Sequence, residues 1–198
     1  MSTVLESLSQ HISPAVVEQI AGRIGADRSS VQGAIGAALP LLVNALGRNA
    51  SDPNEAAAIT NTLERDHDGS LLDNLADLVL GNAHGRQADG EGILSHVLGG
   101  RRNSVEEGVS RTSGLDMGQV ARLLPILAPM VMGALGKIRQ QRNLDAPAVQ
   151  NLLTREQEQT STQLGGLVRL IDRDNDGSVT EELVGIGSSI FNKMFVKR

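Results

Sequence analysis

Asp172, Asp174 and Asp176 stand at alternate positions and are followed by Gly177, with Glu181 and Glu182 a few residues on. Carboxylates spaced this way can turn their oxygens onto one hard cation. A glycine after the third acid permits the sharp turn that a calcium loop makes there. Val179 also fits, at the eighth place of such a loop. The closing twelfth place, which should carry a bidentate acid, is Leu183 instead. A calcium site is therefore expected to draw on Asp172, Asp174, Asp176 and Glu182. Calcium is the one cofactor the sequence suggests.

The same turn occurs earlier, as Glu64-Arg-Asp-His-Asp-Gly-Ser70, again with a leucine, Leu75, at the twelfth place. Here Asp66, Asp68, His67 and Glu64 are the candidate ligands. Both turns continue as Ser-x-x-acid: Ser70 with Asp73, and Ser178 with Glu181. That spacing is also a helix capping box, in which the serine oxygen accepts from the third helical amide and the acid reaches back. Capping explains the glycine, the serine and the last acid without a metal. Three mutually repelling aspartates in one loop call for a further explanation, and both readings stay open. Elsewhere, His84, Asp89, Glu91 and His96 fall within one polar segment but lack metal-site spacing, which favours a solvated loop. No ordered Ser-His-Asp set and no phosphate-cradling glycine loop appears, so no catalytic residue is assigned.

The elements that must carry these turns come twice. Displaced by 89 positions, Gly25-Ala-Asp27 lies over Gly114-Leu-Asp116, Pro40 over Pro129, and Ala45-Leu-Gly-Arg48 over Ala134-Leu-Gly-Lys137. The two acidic turns match at a displacement of 108, so the second copy carries a 19-residue insertion. Each copy reads as helices. Ser13 and Pro14 open one that Gly25 ends, Asp27 opens a longer apolar one containing Pro40, Pro53 starts a third, and a fourth follows Ser70 through Leu71, Leu75 and Leu78. Copy two repeats these over 104–112 and 116–142. It adds a helix near 146–153 and then repeats the remaining two over 157–171 and from Val179. No stretch alternates with a period of two.

The expected fold is all-α: two tandem copies of a helical repeat packed into one helical domain with pseudo-twofold symmetry. The copies span 13–80 and 102–188, the insertion falls between 138 and 171, a glycine-rich linker occupies 81–100, and an apolar end occupies 189–198.

Composition narrows the function classes. The 198 residues include no Cys, Trp or Tyr, and two Phe. Thiolate metal sites, thiol nucleophiles and disulfides are excluded. So is an aromatic stacking platform for nucleic acid, and the net charge of −5 argues the same way. The 40% hydrophobic content supplies an aliphatic core. The uncharged stretch 29–47 and the apolar stretch 123–136 are interrupted by polar residues or prolines. They are expected to be buried helices rather than membrane spans. The N-terminal stretch has no basic segment followed by an apolar run, so a cytoplasmic location is expected.

Both phenylalanines lie in the terminal segment. Ile190, Phe191, Met194 and Phe195 make an apolar face at helical spacing, and the matching part of copy one is polar linker. Packing on the chain's own core is one reading of that face. Docking on a second copy or on another protein is the other. The leading expectation is a non-enzymatic structural or interaction protein that self-associates, with this end or the linker as contact. A calcium-responsive protein comes second and an enzyme third. No small-molecule substrate is identifiable from the sequence.

Three motifs occur together: His67-Asp-Gly-Ser-Leu-Leu-Asp73, Asp89-Gly-Glu-Gly-Ile-Leu-Ser-His-Val-Leu-Gly99 and Leu123-Leu-Pro-Ile-Leu-Ala-Pro-Met-Val-Met-Gly133. In combination the chain resembles a family of bacterial proteins, domain of unknown function 937, related to the YidB-like proteins. The resemblance runs from about Leu5 to about Gly187. It implies a mainly helical bacterial protein and brings no activity and no catalytic residue with it.

Overall fold

The computed structural model describes residues 3–171, with side chains to residue 160. The second acidic turn, with Asp172, Asp174, Asp176 and Glu182, therefore lies outside the described residues. So do Ile190, Phe191, Met194 and Phe195.

The described chain is helical, without strands. In order the α-helices are α1 (Val4–His11), α2 (Pro14–Ile24), α3 (Arg28–Asn49), α4 (Pro53–Asp66), α5 (Leu75–Leu80), α6 (Gly90–Leu98), α7 (Arg102–Ser113), α8 (Met117–Arg142) and α9 (Ala146–Ile171). Short 3-10 turns cover Ser70–Asn74, Arg86–Ala88 and Gly99–Arg101.

The helix ends follow the chemistry of the local sequence. Ser13 Oγ accepts the Val16 N–H and Pro14 stands first in α2. Gly25 closes that helix at φ 71°, a left-handed conformation that suits glycine. Asp27 Oδ1 takes the Ser30 N–H at 2.9 Å to start α3. The same pattern opens α8: Gly114 ends α7 at φ 76°, and Asp116 and Gln119 cap each other's amides at 2.8 and 3.0 Å. Gln119 Nε2 also donates to the Gly25 carbonyl at 2.7 Å, tying the two helix corners together.

Helices α3 and α8 form the centre. Over 33–43 and 123–136 they are apolar on every face, which is the mark of a helix enclosed by others. Ile35, Leu39, Leu123, Leu124 and Leu127 are fully buried. The two pack on each other; α3 is also covered by α9, α7, α2 and α6, and α8 by α6, α1, α7 and α4. By length and composition each could cross a bilayer, yet 78% and 72% of their apolar windows are buried inside the fold.

Prolines inside these helices do not end them. Proline removes the N–H that the carbonyl four residues earlier would use. Pro129 therefore releases the carbonyl of Pro125, and Gly90 at the start of α6 sits on that carbonyl: a Cβ at position 90 would stand 1.8 Å from its oxygen. The segment read as a linker is thus built into the core, with Leu94, Val97 and Leu98 of α6 buried.

Three elements differ from the sequence expectation. Helix α1 was not expected, although Thr3 and Glu6 form a full capping box. The separate helices near 146–153 and 157–171 are one continuous α9, because 154–156 carries neither Gly nor Pro to break it. The helix after Ser70 begins as a 3-10 turn and becomes α-helical only at Leu75.

Candidate functional site

The first acidic turn joins the end of α4 to α5. His67 closes α4 through its N–H to the Leu63 carbonyl at 3.2 Å. Gly69 follows at φ 95° and lies against Lys137 of α8, where a Cβ would come within 2.7 Å of the lysine Cβ. Glycine meets both requirements, the left-handed backbone and the close approach. On the other side of the contact, Gly136 of α8 faces the His67 carbonyl oxygen, 1.6 Å from where a Cβ would be. Turn and helix thus meet backbone to backbone.

The acids of this turn are drawn apart rather than together. Glu64 pairs with Arg139. Asp66 Oδ2 accepts from Arg65 at 2.9 and 2.7 Å. Asp68 Oδ1 accepts the Ser70 N–H at 2.9 Å, and Asp73 Oδ1 binds Lys137 Nζ at 3.1 Å. The Arg65 hydrogen bonds hold the Asp66 carboxyl below its usual range, and the contact with Ser70 does the same for Asp68. The Ser70–Asp73 capping box is not made here. Asp68 has taken the Ser70 amide and Lys137 has taken Asp73. Lys137 Nζ also lies 3.3 Å from His11 Nε2, while His11 Nδ1 donates to the Ser7 carbonyl at 2.7 Å. One lysine thereby links α1, α8 and the turn.

The polar segment 81–100 behaves alike. Asp89 Oδ1 accepts the Gly92 N–H at 2.9 Å as the cap of α6. Glu91 pairs with Arg102, and His96 Nε2 lies 3.2 Å from Glu55 Oε2. Among the described residues no three His, Asp or Glu side chains converge as metal ligands.

What the fold does assemble is a cleft of about 370 Å³ between α4 and α6. Its apolar floor comes from Leu46, Ile59, Ile93, Val97 and Met132, supplied by α3, α4, α6 and α8. Its polar lining comes from Thr62, Asp66, His67, Arg86, Asp89 and His96. Of these, His67 and the acids stand out in the sequence. The role of Arg86 and the apolar floor had no signal there, because the cleft exists only once α6 is laid beside α4.

His67 forms the inner wall. It is 3% exposed, and its Nδ1 is buried with no hydrogen-bond partner. Burial pushes its pKa below the ordinary 6.5, against the pull of Asp66 and Asp68, so the ring is neutral at neutral pH. The unfolded chain takes up that proton near 6.5 while the folded chain resists it. Stability should therefore fall as pH drops through 6.5 and level off below the depressed folded value. His67→Leu should flatten that part of the stability profile, measured by urea unfolding at about pH 7.5 and about pH 5. An unchanged slope would remove His67 as its source.

The cleft's two carboxylates are already engaged, and Asp66 is shifted away from the raised pKa that a neutral-pH proton donor needs. The clearly raised carboxyl among the described residues is Glu156, buried between α9 and α1 and away from the cleft.

A family model described as "Bacterial protein of unknown function (DUF937)" matches residues 6–138. The match takes in the first acidic turn, the cleft, α3 and most of α8, and it ends ahead of α9. No curated protein and no solved structure matches the chain.

Proposed function

The chain belongs to the DUF937 family of bacterial proteins, and on that footing we propose that it is a non-enzymatic helical interaction protein that assembles with copies of itself through its C-terminal segment. One observation carries this reading. The described part buries its apolar side chains, and among its large hydrophobic ones Leu80 and Met117 are exposed. The apolar residues of 81–100 are likewise turned onto α8 and α3. That favours the C-terminal segment over the linker as the contact. On this reading the contact is the apolar set Ile190, Phe191, Met194 and Phe195, which stand at helical spacing in the sequence.

The same reading includes the two-copy organisation. Its support is the pairing of a short helix, a left-handed glycine, an aspartate cap and a long proline-containing helix, first in α2–α3 and again in α7–α8. Each long helix also packs on the short helix of the other pair. The calcium reading rests on Asp172, Asp174, Asp176 and Glu182 alone. In the first turn the acids matching the three aspartates, Glu64, Asp66 and Asp68, are held by Arg139, Arg65 and the Ser70 amide, and the place of Glu182 is taken by Asn74.

Sedimentation of the full chain against a truncation after Gly187 tests the proposal. The full chain should associate and the truncated chain should sediment as a monomer. A monomer in both cases would refute it.

A further inference from the structure

We infer that the cleft between α4 and α6 is a binding site for a small amphipathic monocarboxylate, a carboxylate head on a short apolar body. The body follows from the floor: Leu46, Ile59, Ile93, Val97 and Met132 offer aliphatic and thioether surface without a polar atom. A cleft of about 370 Å³ lies within the size range of small-molecule sites.

The charge of the head follows from which polar groups are already used. Asp66 is held by Arg65, Asp89 by the α6 amide, and His96 by Glu55. Arg86 is the cation lining the cleft and is exposed; it lies in the field of Asp66, whose hydrogen bonds go to Arg65, and no side-chain hydrogen bond holds Arg86 among the described residues. The charge left for a ligand is positive. A guanidinium accepts a carboxylate in two parallel hydrogen bonds, a geometry that an ammonium or hydroxyl head does not satisfy.

His67 supplies the second, independent observation. A buried ring nitrogen without a partner is costly, and such groups commonly mark a place that a further molecule completes. The Gly136 contact fixes the His67 backbone, and the residue lines the cleft. Because His67 lines the cleft, a molecule bound there changes the surroundings of its ring.

The test uses the full chain at neutral pH with three probes sharing one apolar body: hexanoate, hexylammonium and hexanol. Calorimetry reads the affinities, and NMR follows the His67 ring nitrogens and the Met132 methyl group. Hexanoate should bind most tightly and shift both signals. Arg86→Gln, at an exposed position, should weaken hexanoate about tenfold while leaving hexanol unchanged. Ile93→Glu, at a half-buried position of the floor, should abolish binding of both. The inference is overturned if hexylammonium binds as well as hexanoate. It is also overturned if Arg86→Gln leaves hexanoate affinity intact, or if no probe moves the His67 and Met132 signals.

Discussion

Gly136→Ala should destabilise the protein by about 2 kcal/mol or more, while Gly22→Ala, the same change in another helix, should stabilise it by about 0.5–1 kcal/mol. Alanine is the better helix former at both places, so propensity alone favours both substitutions. Space separates them. A Cβ at position 22 meets nothing within 4 Å, whereas one at position 136 lies 1.6 Å from the His67 carbonyl oxygen. That neighbour is backbone and cannot swing aside as a side chain would. Retreat of the turn is resisted by Gly69 against Lys137, by the Lys137–Asp73 bond at 3.1 Å and by the buried Leu71 and Leu72. At roughly 2–4 °C per kcal/mol for a chain of this size, the Gly136 variant should melt about 4–8 °C lower. Because His67 stands on this contact, the variant should also disturb the cleft, read as a shift of the His67 ring signals. Equal melting temperatures for the two variants would contradict the close approach.

Glu156→Gln is expected to raise stability at neutral pH by up to about 2 kcal/mol. Glu156 is 4% exposed, and burial lifts its pKa from 4.5 to about 6, with Glu6 adding to the rise. Arg142 and a hydrogen bond from the Val4 N–H, at 3.2 Å, pull the other way without offsetting burial. The folded-state pKa is the higher one. The protonated group therefore favours the fold below about 4.5, and that benefit is lost as pH rises through about 6. At neutral pH the ionised carboxylate is a net cost. A glutamine keeps the acceptor for Val4 and removes the charge. Urea unfolding from about pH 4 to about pH 8 should show the slope between about 4.5 and 6 in the parent and not in Glu156→Gln. His67 contributes in an overlapping window with the opposite sign, so each slope must be read from its own variant. A parent-like slope in Glu156→Gln would assign the effect elsewhere.

How much of this was legible in the sequence depended on the range of the interaction. Local chemistry was readable. Asp27 and Asp116 cap where their spacing says they should, and Gly25 and Gly114 stop the helices before them. Helix α1 was equally readable from Thr3 and Glu6, three residues apart. The first acidic turn was half legible. Its glycine and tight geometry follow from the residues, but the fate of its acids does not. Arg139 and Lys137, which take Glu64 and Asp73, lie more than sixty residues away. Glu156 sits in a run, Arg155-Glu-Gln-Glu158, that reads as a solvated helix face. It is buried because the start of α1, 152 residues distant, is laid across it. The cleft was illegible for the same reason, since its floor draws on four helices.

Self-association through Ile190, Phe191, Met194 and Phe195 is the central claim, and sedimentation equilibrium of the intact chain over a concentration series tests it most directly. The average mass should rise with concentration toward a defined multiple of 20.9 kDa. The double substitution Phe191→Ser and Phe195→Ser should hold it at the monomer value. A mass that stays at the monomer value across the series, or one that rises identically in the double variant, would contradict the account.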